Sequence, residues 1–183
     1  RGANDTNQQT ERFAMAEEVA QLREQLRVVG NSEVNGRFIF GGTRTVPQPP
    51  DFVMPYPPVN PGNPIAYTGN AVGMEVEILP GVSLPYNISG QAAFGSNSDP
   101  DGAFQVLEAL EQALRSDDTD QIRESLERID RAMTRVSTER AVVGARLNRL
   151  DLLENRYADA AISYQERLSE TEEPEWAEVI AKL

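Results

Sequence analysis

The chain has 183 residues, enough for one or two domains with a real core. A formal net charge of −12 and a pI near 4.5 disfavour the nucleic-acid backbone and acidic membrane surfaces as partners. The absence of Cys and His removes disulfides, thiolate metal sites, thiol nucleophiles and the usual general base.

Residues from about Asn4 to Asn31 read as one helix. Met15, Val19, Leu22, Leu26 and Val29 recur at steps of four and three, which puts them on one face, broadened by Phe13 and Ala16. Asp5 or Thr6 can cap the start, and the stop falls between Gly30 and Asn35. Next comes Asn35-Gly36-Arg37-Phe38-Ile39-Phe40-Gly41-Gly42-Thr43, a short apolar strand bracketed by glycine turns. Its three large apolar residues are expected to be core contacts.

Eight prolines between Val46 and Pro64 exclude helix and predict extended surface chain. Ile65–Tyr67 is a candidate strand. Met74, Val76 and Ile78 alternate with Glu75 and Glu77, predicting a half-buried strand, and Pro80-Gly81 turns the chain into a returning strand over 82–88. Ala92–Gly95 leads out. The insertion is thus expected to be a small β domain of about three to five strands. It is nearly neutral: residues 37–95 hold only Arg37 and Arg44 against Asp51, Glu75 and Glu77. The acidic excess belongs to the flanking segments, as solvated helix faces.

A helix is predicted from Asp101 to Arg115, with Phe104, Leu107, Leu110 and Leu114 inward. Asp118 with Gln121 then fits a capping box for the longest element. There Ile122, Leu126, Ile129, Met133, Val136, Val143, Leu147, Leu150, Tyr157, Ala161, Tyr164 and Leu168 keep one heptad register, broken by charge only at Arg140 and Glu154. At the usual rise this seam runs about 70 Å, and a helix so long needs another helix along it. The Asn4–Asn31 helix is the expected partner. After Leu168 an acidic break is expected, with Pro174 opening a new helix whose face is Trp176, Val179, Ile180 and Leu183.

The run from Asn35 to Thr43, after a helix rich in Gln, Leu and Arg, resembles the hook-filament junction family of bacterial flagella, hook-associated protein 3, within the flagellin-like superfamily. Val142-Val143-Gly144-Ala145-Arg146-Leu147-Asn148-Arg149-Leu150 is similar to a run in flagellin-type C-terminal helices, and Glu172–Leu183 to the start of their terminal helix. Pro174 and Trp176 depart from that last pattern. The resemblance implies a mainly α fold with a small β insertion: an antiparallel bundle of long helices, a flagellin-like rod, plus a compact β-rich domain. Its division would be 1–36 with 96–183 for the discontinuous rod, and 37–95 for the insertion. The natural N- and C-terminal polymerisation helices are expected to lie outside this sequence. The implied role is a structural adaptor between hook-associated protein 1 and flagellin, exported by the flagellar type III system with a dedicated chaperone, and extracellular once assembled. Flagellin itself and a non-flagellar coiled-coil module are the alternatives. The junction role goes with a monomeric isolated chain, the coiled-coil module with a dimer.

Chemical sites are few. Asn97-x-Asp99-x-Asp101-Gly102, followed by Glu108, has the spacing of a calcium loop, but Pro100 stiffens it and no helix enters it. Its plainer use is to cap the helix that follows. Gly41-Gly42-Thr43 lacks the Lys of a phosphate loop, and the carboxylate pairs lie on solvated faces without an apolar pocket to separate their pKa values. No cofactor, metal or catalytic residue is expected. Gly36, Gly41 and Gly42 are expected in turns, and Gly144 at a close helix approach, with Arg146 and Arg149 on the outer face.

Overall fold

In the computed structural model, residues 2–58 and 64–181 are described, with side chains for 9–58 and 64–170. The element order is α1 (Gly2–Gly30), β1 (Glu33–Val34), β2 (Arg37–Phe38), β3 (Glu75–Leu79), β4 (Val82–Pro85), α2 (Gly90–Phe94), α3 (Ala103–Ser116) and α4 (Thr119–Ala181). The fold is mainly α with a small antiparallel β insertion. The chain divides into two compact units, Arg1–Arg140 and Ala141–Leu183.

Helix α1 starts ahead of the expected Asp5–Thr6 cap, since nothing in residues 2–4 forbids helix; the side chains of that first turn lie outside the described ones. Asn35-Gly36 then makes a two-residue turn, with φ of 53° and 71°, the left-handed pair that a tight hairpin between β1 and β2 requires. Glu33-Val34, expected at a helix end, is therefore the first strand of a hairpin. Its partner strand stops at Phe38, so the strand expected over Phe38–Phe40 is shorter.

β3 pairs antiparallel with β4 through the Pro80-Gly81 turn, with Gly81 at φ 77°. The alternation expected of a half-buried strand is absent: Val76 is exposed along with Glu75 and Glu77. The returning strand ends at Pro85, because proline offers no N–H to continue a ladder. Ile65–Tyr67 is extended and buried but forms no strand, because a side chain takes its backbone bonds. The Asn97 amide accepts from Tyr67 N at 2.6 Å and donates to Tyr67 O at 3.0 Å. Asn31 does the same for Tyr56, accepting from its N at 2.8 Å and donating to its O at 2.7 Å. Two asparagine side chains thus stand in for neighbouring strands. Among the described residues the insertion consequently holds two separate two-stranded sheets rather than one larger sheet.

The lead-out over 92–95 is part of a short helix, α2, capped by Ser89, whose Oγ accepts from Ala92 N at 3.2 Å. The Asp118 cap forms as expected: Gln121 N donates to Oδ1 at 3.0 Å and Gln121 Nε2 to Oδ2 at 2.9 Å. The break expected after Leu168 does not occur. The backbone stays helical through Pro174 to Ala181, since Glu and Ala are good helix formers and one proline removes a single internal bond. The side chains of the Trp176, Val179, Ile180 and Leu183 face lie outside the described residues.

Two cores hold the first unit. Tyr56, Ile65, Tyr67, Ala93, Phe94 and Phe104 form one, with Leu26 and Phe40 packed against it, so the insertion shares its core with the helices. Ala16, Val19, Leu110 and Leu114 form the other, covered by Leu107, Ile122 and Ile129.

Candidate docking surface

The glycine-bracketed motif is a structural knot. Phe38 is buried edge-on against Phe52, and Phe40 stacks obliquely on Phe94 with ring centroids 5.1 Å apart. Ile39, expected in the core, is partly exposed because alternation turns it to the other face. A Cβ on Gly41 would lie 2.0 Å from Arg44 O, and one on Gly42 would lie 2.2 Å from Asn70 O at φ +69°. Thr43 completes the knot: its N donates to Asn70 Oδ1 at 3.0 Å, and its Oγ1 accepts from Asn70 Nδ2 at 2.6 Å. Asn87 ties in the hairpin by donating to Gly42 O at 2.9 Å while accepting from Met74 N at 2.6 Å. The Tyr67 hydroxyl lies 2.8 Å from both Phe40 O and Asn70 O, and burial pushes its pKa up to about 12 despite the Gly90 backbone and Arg44. Tyr56 is buried more deeply, and desolvation pushes its phenol higher still, with Tyr67 adding to it.

The loop with calcium spacing is committed elsewhere. Asn97 clasps Tyr67. Asp99 accepts from Asp101 N at 2.9 Å and from Arg135 Nη2 at 2.5 Å. Asp101 takes two bonds from Arg131, at 2.9 and 3.0 Å, and this guanidinium holds its carboxyl below the usual range. Glu108 faces the α1–α3 contact, where burial pushes its pKa up, Arg23 opposes and Glu111 reinforces. No cluster of three or more metal-ligating acids occurs among the described residues. In that contact Arg23 Nη2 lies 3.1 Å from Glu111 Oε2, an ion pair whose angle forgoes a hydrogen bond. Arg115 bridges Glu17 at 2.6 Å and Glu111 at 3.1 Å.

The apolar seams are the unexpected part. On α1 the buried face is Ala16, Val19, Arg23, Leu26 and Gly30, one position along from the predicted Met15, Leu22 and Val29, each of which is half exposed. On α4 the contact is made by Ile122, Ser125, Ile129 and Ala132, so Leu126 and Met133 are 53% and 64% exposed, and Val136 is exposed as well. Small residues win these contacts because they let helices approach closely, and the bulky ones are turned out to the flank. Together they frame a groove of about 310 Å³ lined by Leu26, Phe94, Ala103, Val106, Leu107, Ile129, Ala132, Met133, Val136 and Ser137. In the second unit Val143, Leu147, Leu150, Tyr157, Tyr164 and Leu168 are all exposed, Tyr164 at 71%. Gly144 does not serve a close approach there, since nothing lies within 4 Å of its Cβ position. Ala145 beside it is exposed, and Arg146 is half-buried along its own helix.

No family model matches the chain. It is 24% identical, over an alignment of 201 residues, to flagellar hook-associated protein 3 of Escherichia coli strain K12, covering 98% of this chain and 60% of that protein. The chain groups with the hook-associated protein 3 family. A solved structure from Vibrio parahaemolyticus, described as a flagellar hook-associated protein, matches with a TM-score of 0.71 at 20% identity, over 84% of this chain and 66% of that one. FlgL of Bacillus cereus matches with a TM-score of 0.54 at 18% identity, over 81% and 70%. These two likenesses establish the fold. The chain spans about three-fifths of the length of its curated relative, and the helix–hairpin–helix order is common ground within the family.

Proposed function

We propose that this chain is the folded part of a structural adaptor of the bacterial flagellum, joining the hook, through hook-associated protein 1, to the flagellin filament. The observation that carries this reading is the outward-facing apolar seam on α1 and α4. Bulky side chains exposed at heptad spacing are docking elements for other helices, since a monomeric surface rarely shows so many in a row. The similarity to hook-associated protein 3 says which assembly that docking serves. The role is one of shape and not of catalysis: apolar residues supply affinity, while the charged flanks set register and partner choice. On this reading residues 1–36 and 96–183 act as one discontinuous helical domain and 37–95 as its insertion. The protein leaves the cell unfolded through the flagellar type III channel, kept until then by a chaperone, and acts outside the cell. Among the described residues no helix is long and apolar enough to cross a membrane.

Deleting the gene in its native host tests the proposal. Flagellin should be shed into the medium, with hooks intact and filaments absent. Filaments of normal length on the deletion strain would overturn it.

A further inference from the structure

The second unit is a single helix among the described residues, and its seam runs through Val143, Leu147, Leu150, Glu154, Tyr157 and Tyr164. All of these are exposed, and the one acid sits in the middle of the apolar row. A lone helix of this kind has no core of its own, so the row is a surface for another helix.

Charge decides which helix. In heptad terms Leu147 and Glu154 fall at a, Leu150 and Tyr157 at d, Asp151 at e, and Arg146 and Arg167 at g. Two copies aligned in parallel would draw Arg146 towards the partner copy's Asp151 on the rim. The same alignment sets two Glu154 carboxylates against each other in the seam, where like charges are desolvated and cost more than a rim pair returns. Turned antiparallel, so that Leu147 meets Tyr164, the seam sets Arg146 beside Arg167. Shifted by half a heptad, it sets Asp151 against Asp151. Each self-pairing therefore carries a like-charge contact.

The geometry points to a heterotypic docking surface: residues 143–168 take an amphipathic helix of different sequence, apolar along its seam and bearing a lysine or arginine in the layer of Glu154. Such a base would turn the one polar seam position from a cost into a register pin, as single polar seam residues do. This inference rests on the docking role proposed above.

The test uses the whole 183-residue chain and two synthetic four-heptad peptides, identical but for Lys or Glu at one central seam position. Sedimentation equilibrium should show the chain alone as a monomer. The Lys peptide should bind tighter than the Glu peptide by about tenfold, the order expected for a close, partly desolvated charge pair. Glu154→Lys should reverse that preference, and Glu154→Leu should erase it. Leu147→Asp should weaken both peptides alike. A stable self-dimer, no binding of either peptide, or a preference that survives Glu154→Lys would each overturn the inference. Those results leave the deletion phenotype untouched, so the two proposals can fail separately.

Discussion

Tyr56 and Tyr67 lie side by side in the same core, yet removing their hydroxyls should have opposite effects. The Tyr56 ring packs on Phe104 with centroids 4.5 Å apart and on Tyr67 at 5.2 Å, but its buried hydroxyl has no hydrogen-bond partner among the described residues. A buried polar group left unpaired costs about 1–3 kcal/mol. Tyr56→Phe keeps every ring contact and removes that cost, so it should stabilise the fold by about 1 kcal/mol, roughly 2–4 °C in Tm for a chain of this size. Tyr67→Phe removes a bond to Phe40 O or Asn70 O. Phe40 O keeps Gly90 N at 2.7 Å, whereas Asn70 O loses its phenol donor, so the loss should be about 1–2 kcal/mol. Urea unfolding followed by near-ultraviolet circular dichroism, which reads the aromatic cluster, should therefore move the two midpoints in opposite directions. Equal destabilisation by both variants would refute the reasoning.

Alkaline pH should loosen the same core. Tyr67 has a pKa raised from 10.0 to about 12, so its contribution is complete below pH 10 and lost as pH rises towards 12. A scan of unfolding midpoint against pH should fall across that window, and less steeply for Tyr67→Phe. Gly42→Ala should cost about 2–4 kcal/mol, from left-handed strain plus a Cβ overlapping Asn70 O, as measured by urea unfolding. Asp118→Ala should cost about 1 kcal/mol through the lost cap of α4, read by the same assay. Leu147→Asp should leave stability within about 0.5 kcal/mol, because the residue is exposed, yet fail to restore filaments in a deletion strain.

The helices were legible because local periodicity and capping chemistry specify them, and the Asp118–Gln121 cap shows how local that information is. Their burial was less legible. Reading bulky apolar residues as the inner seam placed Leu22, Leu126 and Met133 inside, when Ser125, Ala132 and Ala16 make the close contacts. A row of small residues one step along was the available signal. The strands of the insertion were over-read for another reason. Asn31 and Asn97 satisfy backbone groups 25 and 30 residues away, and no local pattern announces so distant an amide. The calcium spacing failed similarly: Arg131 and Arg135, a helix away, hold Asp101 and Asp99. The motif of 35–43 was legible as turns and strand, while its knot with Asn70 and Asn87 was not.

Position in the assembled organelle tests the junction role most directly. Intact flagella from the native host, labelled with gold-conjugated antibody against residues 65–95, should show a single band of gold where the hook meets the filament. Gold along the whole filament would make the protein a filament subunit and contradict the junction role.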